Sequence, residues 1–302
     1  MRKKIIYYLA FSLISMVSYG QEVFSTIGVD DLVTLEYEIY PSLNAIELEK
    51  KSVVIDFTTL FDKPTIGFGA RYTSHSMGFE DYNMHNMFTS FEELHHVSVY
   101  AKYRKALANN WNLDATIAPY LASTFNEGIT REDFVLSYSA HFIKNWDNDG
   151  LKSSLKLGGG YGSLFGKPNF YPLISYSKAV NKKFRYEIGF PITGAYYKIN
   201  EQSQIDITAQ PESIYANNPS GFNIVNESLI DNSKLQFSAL KLSIVYTYLF
   251  DDNWSSSFSV GYLAASELTI EDSNSNSNNI YDFDSNESVS LNIGISFNIN
   301  NK

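Results

Sequence analysis

Ser288-Val289-Ser290-Leu291-Asn292-Ile293-Gly294-Ile295-Ser296-Phe297-Asn298-Ile299-Asn300 decides the fold class. Val289, Leu291, Ile293, Ile295, Phe297 and Ile299 fall on one face. Ser288, Ser290, Asn292, Gly294, Ser296, Asn298 and Asn300 fall on the other. Successive side chains of a strand point to opposite sides, so this stretch reads as a strand with one apolar and one polar face. The same period recurs upstream. Trp111, Leu113, Ala115, Ile117, Pro119 and Leu121 oppose Asn112, Asp114, Thr116, Ala118 and Tyr120. Phe134, Leu136, Tyr138, Ala140 and Phe142 oppose Asp133, Ser137, Ser139 and His141, and Phe184, Tyr186, Ile188, Phe190 and Ile192 oppose Arg185, Glu187 and Thr193.

Twelve such segments are expected, at about 32–40, 45–58, 64–73, 95–107, 111–122, 133–144, 150–162, 169–179, 183–199, 235–250, 254–265 and 287–300. Many exceed the ~5–6 residues of a soluble strand and suit a tilted membrane strand of about 9–11. The tenth changes phase near Ala239, which suggests a bulge. The eighth is apolar on both faces at Phe170, Tyr171, Pro172 and Leu173.

The connections alternate in character. Those around Asp62-Lys63, Ala108-Asn109-Asn110, Asp147-Asn148-Asp149, Asn181-Lys182-Lys183 and Asp251-Asp252-Asn253 are tight and turn-rich, whereas 74–94, 200–234 and 266–286 are long. Short turns at one end and long loops at the other describe an outer-membrane barrel, with both termini at the periplasmic end. Trp111, Trp146, Phe184 and Trp254 lie at or beside the short turns, where an aromatic girdle is expected. The expected fold is an all-β, transmembrane, antiparallel up-and-down barrel of about 12 strands over residues 21–302, with 10 or 14 strands, or a soluble barrel or sandwich, as the alternatives.

Residues 1–20 are set apart. Arg2, Lys3 and Lys4 precede an apolar run from Ile5 to Val17, and Ser18-Tyr19-Gly20 offers a cleavage site before Gln21. This is the pattern of a secretory signal peptide, and the run is shorter than the ~20 apolar residues of a membrane-spanning helix. Its removal would leave 20 Lys and Arg against 33 Asp and Glu, a net of −13. That balance argues against nucleic acid as a partner, because phosphate binding needs a basic face. With 22 Tyr and 21 Phe the chain is not of a disordered class, and zero Cys excludes thiol catalysis and Cys-ligated metals.

Alternation assigns Glu36, Glu38, Asp56, Asp114, Asp133 and Glu187, with Arg71, Lys102, Arg104, Lys152, Lys156, Arg185 and Lys241, to the lumen. Facing lipid, each Arg or Lys would cost ~2–4 kcal/mol at the midplane. These near-balanced charges would either pair and fill a narrow bore or line a water-filled channel. The acidic surplus is assigned to the long loops. It comprises Glu80, Asp81, Glu92 and Glu93; Glu201, Asp206, Glu212, Glu227 and Asp231; and Glu267, Glu271, Asp272, Asp282, Asp284 and Glu287. Such a rim could bridge lipopolysaccharide through divalent ions or serve solubility.

No catalytic, cofactor-binding or metal-ligating residue is assigned. Asp282-x-Asp284-x-Asn286 lacks the Gly and the bidentate Glu of a calcium loop. His75, His85, His95 and His96, read as sharing one loop, match no compact zinc spacing. His141 points inward, which does not suit attack on a membrane ester. Gly158-Gly159-Gly160-Tyr161-Gly162 ends a strand without the Lys-Ser/Thr of a phosphate loop.

Three features resemble an uncharacterised outer-membrane β-barrel family, a domain of unknown function, of Bacteroidota-type bacteria. They are Glu93-Leu94-His95-His96-Val97, the Asn-Trp turns, and the run from Gly166-Lys167-Pro168-Asn169-Phe170-Tyr171-Pro172 through Phe190-Pro191-Ile192. The resemblance implies a cell outer-membrane location, outer-membrane lipid as surroundings and the barrel-assembly machinery as a partner in biogenesis. It brings no known ligand. Members often end on an aromatic residue; here Phe297 is followed by Asn298-Ile299-Asn300-Asn301-Lys302. Three functions are carried forward. They are a narrow channel for passive transport of small polar solutes, a non-conducting structural or surface-interaction barrel, and an outer-membrane hydrolase.

Overall fold

Period-two sequence becomes an antiparallel ladder that closes on itself. The computed structural model describes residues 31–299 apart from 44–45, 62–64, 83–86, 222–229, 231, 274–278 and 284–285. The strands are β1 (Val33–Tyr40), β2 (Glu47–Asp56), β3 (Ile66–Gly78), β4 (Glu93–Ala106), β5 (Trp111–Ser123), β6 (Phe134–Asn148), β7 (Leu151–Gly162) and β8 (Asn169–Ala179). There follow β9 (Phe184–Phe190), β10 (Thr193–Lys198), β11 (Ser203–Asn218), β12 (Ser233–Leu249), β13 (Trp254–Asp272), β14 (Asn279–Asp282) and β15 (Ser288–Phe297). Each strand pairs with its chain neighbour, β13 pairs with β15, and β15 returns to β1 with Leu35 opposite Ile295. Among the described residues the result is a closed, antiparallel all-β barrel with 14 wall strands. β14 lies outside the ring, paired only with β13. Among the described residues no helix is long and apolar enough to cross a membrane.

Two corrections raise the count from twelve. The expected strand 183–199 is a hairpin of two short strands, β9 and β10, turning at Pro191-Ile192 with Gly194 opposite Glu187. The outward residues shift there from even positions (Tyr186, Ile188) to odd ones (Tyr197). Second, the expected loop 200–234 contains β11, paired with β12 from Ser203 to Asn218. Its alternation was present in the sequence as Ile205, Ile207 and Ala209 against Gln204, Asp206, Thr208 and Gln210. Pro211 and the following Asn residues masked it. Pro211 is tolerated because β11 has no ladder partner on its β10 side beyond Ala209, so a missing N–H breaks no bond there.

The short turns follow from their residues. Asn109 and Asn110 both take positive φ (58° and 59°), as do Asp149 and Gly150 (54° and 80°), the backbone of a two-residue hairpin turn. The Asn181 and Asp251 carboxamide and carboxylate oxygens each accept two backbone N–H groups, reaching Phe184 and Trp254 respectively. The Asp62-Lys63 turn lies outside the described residues. At this end Trp254 packs on Phe297 with ring centroids 4.8 Å apart, and the Lys144 ammonium lies 5.6 Å from the Trp111 ring centroid.

The outer face is apolar in the middle of the wall. On β12 the outward row runs Leu240, Leu242, Ile244, Tyr246, each 40–56% exposed. The inward row is Lys241, Ser243, Val245 and Thr247. Above Ala239 polarity inverts: Leu235 and Phe237 are fully buried inside, while Lys234, Gln236 and Ser238 sit outside. β12 itself does not slip phase, so the bulge expected at Ala239 is corrected in kind. The pairing register does shift between Ser238 and Leu240, and the extra residue is on β13, where Ala265 adopts φ 50°. The sequence signal was a change of solvent. Below, the outward row is apolar and exposed and the inward row polar; above, the outward row is polar and half-buried and the inward row packs into an apolar core.

An Arg placed on each half of this one row tests the boundary. Ile244→Arg is expected to cost ~2–4 kcal/mol in equilibrium unfolding from phospholipid vesicles. Ser238→Arg, two residues beyond Leu240 on the same row, is expected to cost markedly less, about 1 kcal/mol or below.

Candidate functional site: the lumen and its long-loop closure

Inward positions place the charged side chains where the alternation assigned them, and the structure pairs them. Near the short-turn end the Lys102 ammonium donates to Asp56 at 2.7 Å, passing over β3 at Gly67 and Gly69. A Cβ at Gly69 would lie 2.3 Å from the Tyr100 hydroxyl, so a side chain there would displace the arrangement. Arg104 clasps Asp114 through Nε (3.1 Å) and a terminal nitrogen (3.0 Å), a bidentate geometry. Glu187 accepts from Lys156 at 3.1 Å and from Ser175 at 2.8 Å, and Arg185 lies 3.6 Å away with its guanidinium 3.8 Å from the centre of the Tyr196 ring. These pairs join nearby strands and lie along the wall.

A second group crosses the bore. Lys241 on β12 donates to Glu38 on β1 and lies 3.6 Å from Glu212 on β11, which accepts from Lys50 on β2 at 2.7 Å. The side chains of Glu38, Glu212 and Lys241 are 2–6% exposed. β11 reaches Lys50 because its upper half leaves the wall. Beyond Ala209 it folds inward and ends beside β5, with Asn217 opposite Ser123 and the Thr124 N–H donating to the Asn217 carbonyl at 3.0 Å.

Above this hub, among the described residues, lies an apolar core of twenty buried residues from the long-loop connections and strand ends. Phe79, Phe88 and Phe283 form its centre, with Phe88 and Phe283 ring centroids 4.8 Å apart, and Tyr82 meets Tyr281 hydroxyl to hydroxyl at 2.6 Å. Full burial of each such ring contributes ~1.5–3 kcal/mol. Between hub and core sits a cavity of ≈ 60 Å³, lined by Glu36, Lys50, Arg71, His75 and His96, by Ser163 and Leu164, and by Glu212–Ala216 of β11. It is large enough for a few water molecules.

Several assignments move. Asp206 and Glu212, expected on an acidic outer rim, are buried on β11, and Glu271 meets Lys167 at 3.1 Å. Asp133 does not line the bore. It caps the 3-10 turn Arg131–Asp133, accepting from the Thr130 N–H and from the Asn217 amide. Lys152 is exposed near the short turn Asp149-Gly150. The four histidines do not share a loop: His75 is on β3, His95 and His96 on β4, and His85 lies outside the described residues. Asp284 of the calcium-like spacing also lies outside them. Among the described residues no three His, Asp or Glu converge to hold a metal. His95 faces outward opposite Ser74, and its Nδ1 is 3.0 Å from the Tyr72 hydroxyl while its ring stacks on Phe125. Lys50 was the lumen residue the sequence reading left out, although it lies on the same face of β2 as Ser52 and Asp56.

A family model described as a domain of unknown function (DUF6268) matches residues 46–300. The chain belongs to that family. No curated protein matches it. Solved structures to which it is similar include the NanC porin (TM-score 0.40, 10% identity, 88% of this chain and all of that one). Others are the outer membrane phospholipase A from Escherichia coli (0.34, 11%, 96% and 98%) and the transport unit of the autotransporter AIDA-I from Escherichia coli (0.32, 12%, 98% and 97%).

The crossing hub has a testable energetic signature. Lys241→Met leaves Glu38 and Glu212 buried beside an uncharged side chain and is expected to destabilise the barrel by ~3–5 kcal/mol. The combined variant Lys241→Met, Glu38→Gln should recover a large part of that loss. Urea unfolding of both in vesicles checks it, and equal losses would mean that the pair does not act as a unit.

Proposed function

We propose that this chain is a barrel of the cell outer membrane whose bore is closed along its axis, a non-conducting barrel with its short turns in the periplasm. The observation that carries this reading is the dry aromatic core over the hub. A water-filled passage needs polar lining throughout, and here the long-loop mouth is filled by packed Phe, Leu and Ile side chains. The charge-paired lumen below it is the filled form of the two arrangements that near-balanced charges permit. The outward row of exposed Leu, Ile, Phe and Tyr supports hydrocarbon as the surroundings.

The rest follows from that location. Residues 1–20 act as a cleaved signal peptide, and the barrel-assembly machinery inserts the chain. Lipopolysaccharide surrounds the long-loop end. The outer-membrane hydrolase is the third reading, and the outward His95 has the Tyr72 hydroxyl on its Nδ1. A narrow channel for small polar solutes is the reading that the closed mouth disfavours.

Insertion is checked first, by faster gel mobility of unboiled protein and by recovery in the outer-membrane fraction. Verified insertions in a planar bilayer are then expected to be electrically silent. Stepwise currents from the unaltered chain would overturn the closed-bore reading in favour of the channel.

A further inference from the structure

The outer face of β2 to β8 carries opposite charge at its two ends. At the long-loop end the outward residues of β2 and β4 include Glu47, Glu49 and Glu93, and Lys51 in the same band meets Glu49 at 3.0 Å. At the short-turn end β4, β6 and β8 each run toward their turn through an outward lysine: Lys105, Lys144 and Lys178. Two residues above each lysine, on the same face, stands an aromatic ring. These are Tyr103, Phe142 and Tyr176, 38–48% exposed.

Register puts the three lysines at one depth. Lys105 is opposite Leu113 and Leu113 is opposite Phe142, so Lys144 lies two positions nearer the turns across two strands. Lys144 is opposite Leu155 and Leu155 is opposite Tyr176, so Lys178 lies two positions further again. Two residues of rise against two strand spacings is a slope of about 35°, at ~3.3 Å per residue and ~4.8 Å per strand. That slope matches the ~35–45° tilt of strands in a membrane barrel. The short turns step down the register in the same sense: Trp111, at the β4–β5 turn, is opposite Lys144, whereas β6 continues to Asn148 before turning. The lysines therefore form a level row, with Cα atoms about 12 Å apart.

No acid answers this row. Among the described residues none of the three lysines lies within ion-pair distance of a carboxylate. The Lys144 ammonium donates to the Asn109 carbonyl and faces the Trp111 ring, both uncharged. On the opposite wall the outward residues beside the short turns are Phe250, Trp254 and Phe297, so the charge belongs to one sector.

We propose that Lys105, Lys144 and Lys178 form a binding surface for anionic phospholipid of the periplasmic leaflet. The lysines take the headgroup phosphate oxygens, and Tyr103, Phe142 and Tyr176 take the adjoining ends of the acyl chains. This rests on the outer-membrane reading. The ligand class follows from the vertical order: charge complementarity calls for an anion at the lysine row, and the apolar wall directly above it calls for acyl chains attached to that anion. A zwitterionic headgroup brings its own cation to the row and gains less. Each lysine near such a surface contributes about a fivefold preference, weakened by salt.

The three tryptophans supply the reporters, because Trp111 and Trp146 lie in the lysine sector and Trp254 on the opposite wall. The chain is inserted in phosphatidylcholine vesicles containing increasing amounts of phosphatidylglycerol with brominated acyl chains, which quench a nearby indole. With Trp254→Phe, the sector tryptophans are expected to report a preference for phosphatidylglycerol over phosphatidylcholine of about threefold or more. With Trp111→Phe and Trp146→Phe, Trp254 should report no preference. Adding Lys105→Gln, Lys144→Gln and Lys178→Gln to the first variant should abolish the sector preference, and the same three positions as Arg should keep it. Should the triple Gln variant not insert, Lys105→Gln with Lys178→Gln keeps the Lys144 contact to Asn109 and should lower the preference by about half or more. A sector preference no greater than that at Trp254, or one unmoved by the Gln variants, overturns the lipid surface. Loss of the preference in millimolar inorganic phosphate, but not in sodium chloride of equal ionic strength, overturns it in favour of a free-anion site. An unaltered chain whose gel mobility does not depend on boiling overturns instead the membrane reading beneath it.

Discussion

Hydrocarbon offers no hydrogen bonds, and in the proposed outer-membrane setting the rest of this structure depends on that constraint. A backbone set in a bilayer must satisfy every N–H and C=O from within the protein, and a sheet does so only by closing. The return of β15 to β1 therefore has consequences beyond connectivity. It fixes the even number of wall strands, puts both ends of the described chain on the short-turn side, and forces each strand to present one face outward and one inward. The outward faces are apolar over the middle of the wall, the part that the proposed setting puts in hydrocarbon. On β12 that limit is written between Ala239 and Leu240, where the same geometric row passes from Leu to Ser and the opposite row from Lys to Phe.

Inside, two kinds of filling share the bore. Charges near the short-turn end pair with near neighbours and leave the wall faced with small side chains such as Ser255, Ser259 and Ser290. Charges in the middle pair across the bore because β11 brings Glu212 to Lys50 and Lys241. An unpaired charge at such depth would cost several kcal/mol, so the inward fold of β11 and the charge pattern on β1, β2 and β12 require one another. Above them the aromatic core packs among the described strand ends and long-loop residues. The β9–β10 hairpin ends where β11 leaves the wall, so Asn169–Leu173 of β8 have no ladder partner on that side.

Much of this was legible. The alternation of Val289–Ile299 and its repeats placed the barrel and most wall strands, and the facing of Glu38, Asp56, Lys102, Asp114 and Lys241 followed from parity alone. Two segments were misread for identifiable reasons. In 183–199 the outward residues change parity at Pro191-Ile192, which marks a turn rather than a long strand. In 200–218 a Pro and several Asn residues hid an alternation from Ile205 to Gln210, because these residues are common in loops and tolerated at an unpaired strand edge. Missing β11 misplaced Asp206 and Glu212 on the outer rim, and with them the closing hub.

The sequence by itself determined a closed antiparallel barrel with short turns at one end and a near-balanced set of inward charges. Those properties are local: a side chain's parity along its strand, and an Asn or Gly that permits a two-residue turn. Tertiary structure alone decided that an apolar core packs at the long-loop end and that the wall is low between β8 and β11. Both depend on contacts such as Glu212 with Lys50, 162 positions apart, and Phe165 with Phe190. Parity states which way a side chain points; which distant side chain it meets there depends on how far each strand stays in the wall.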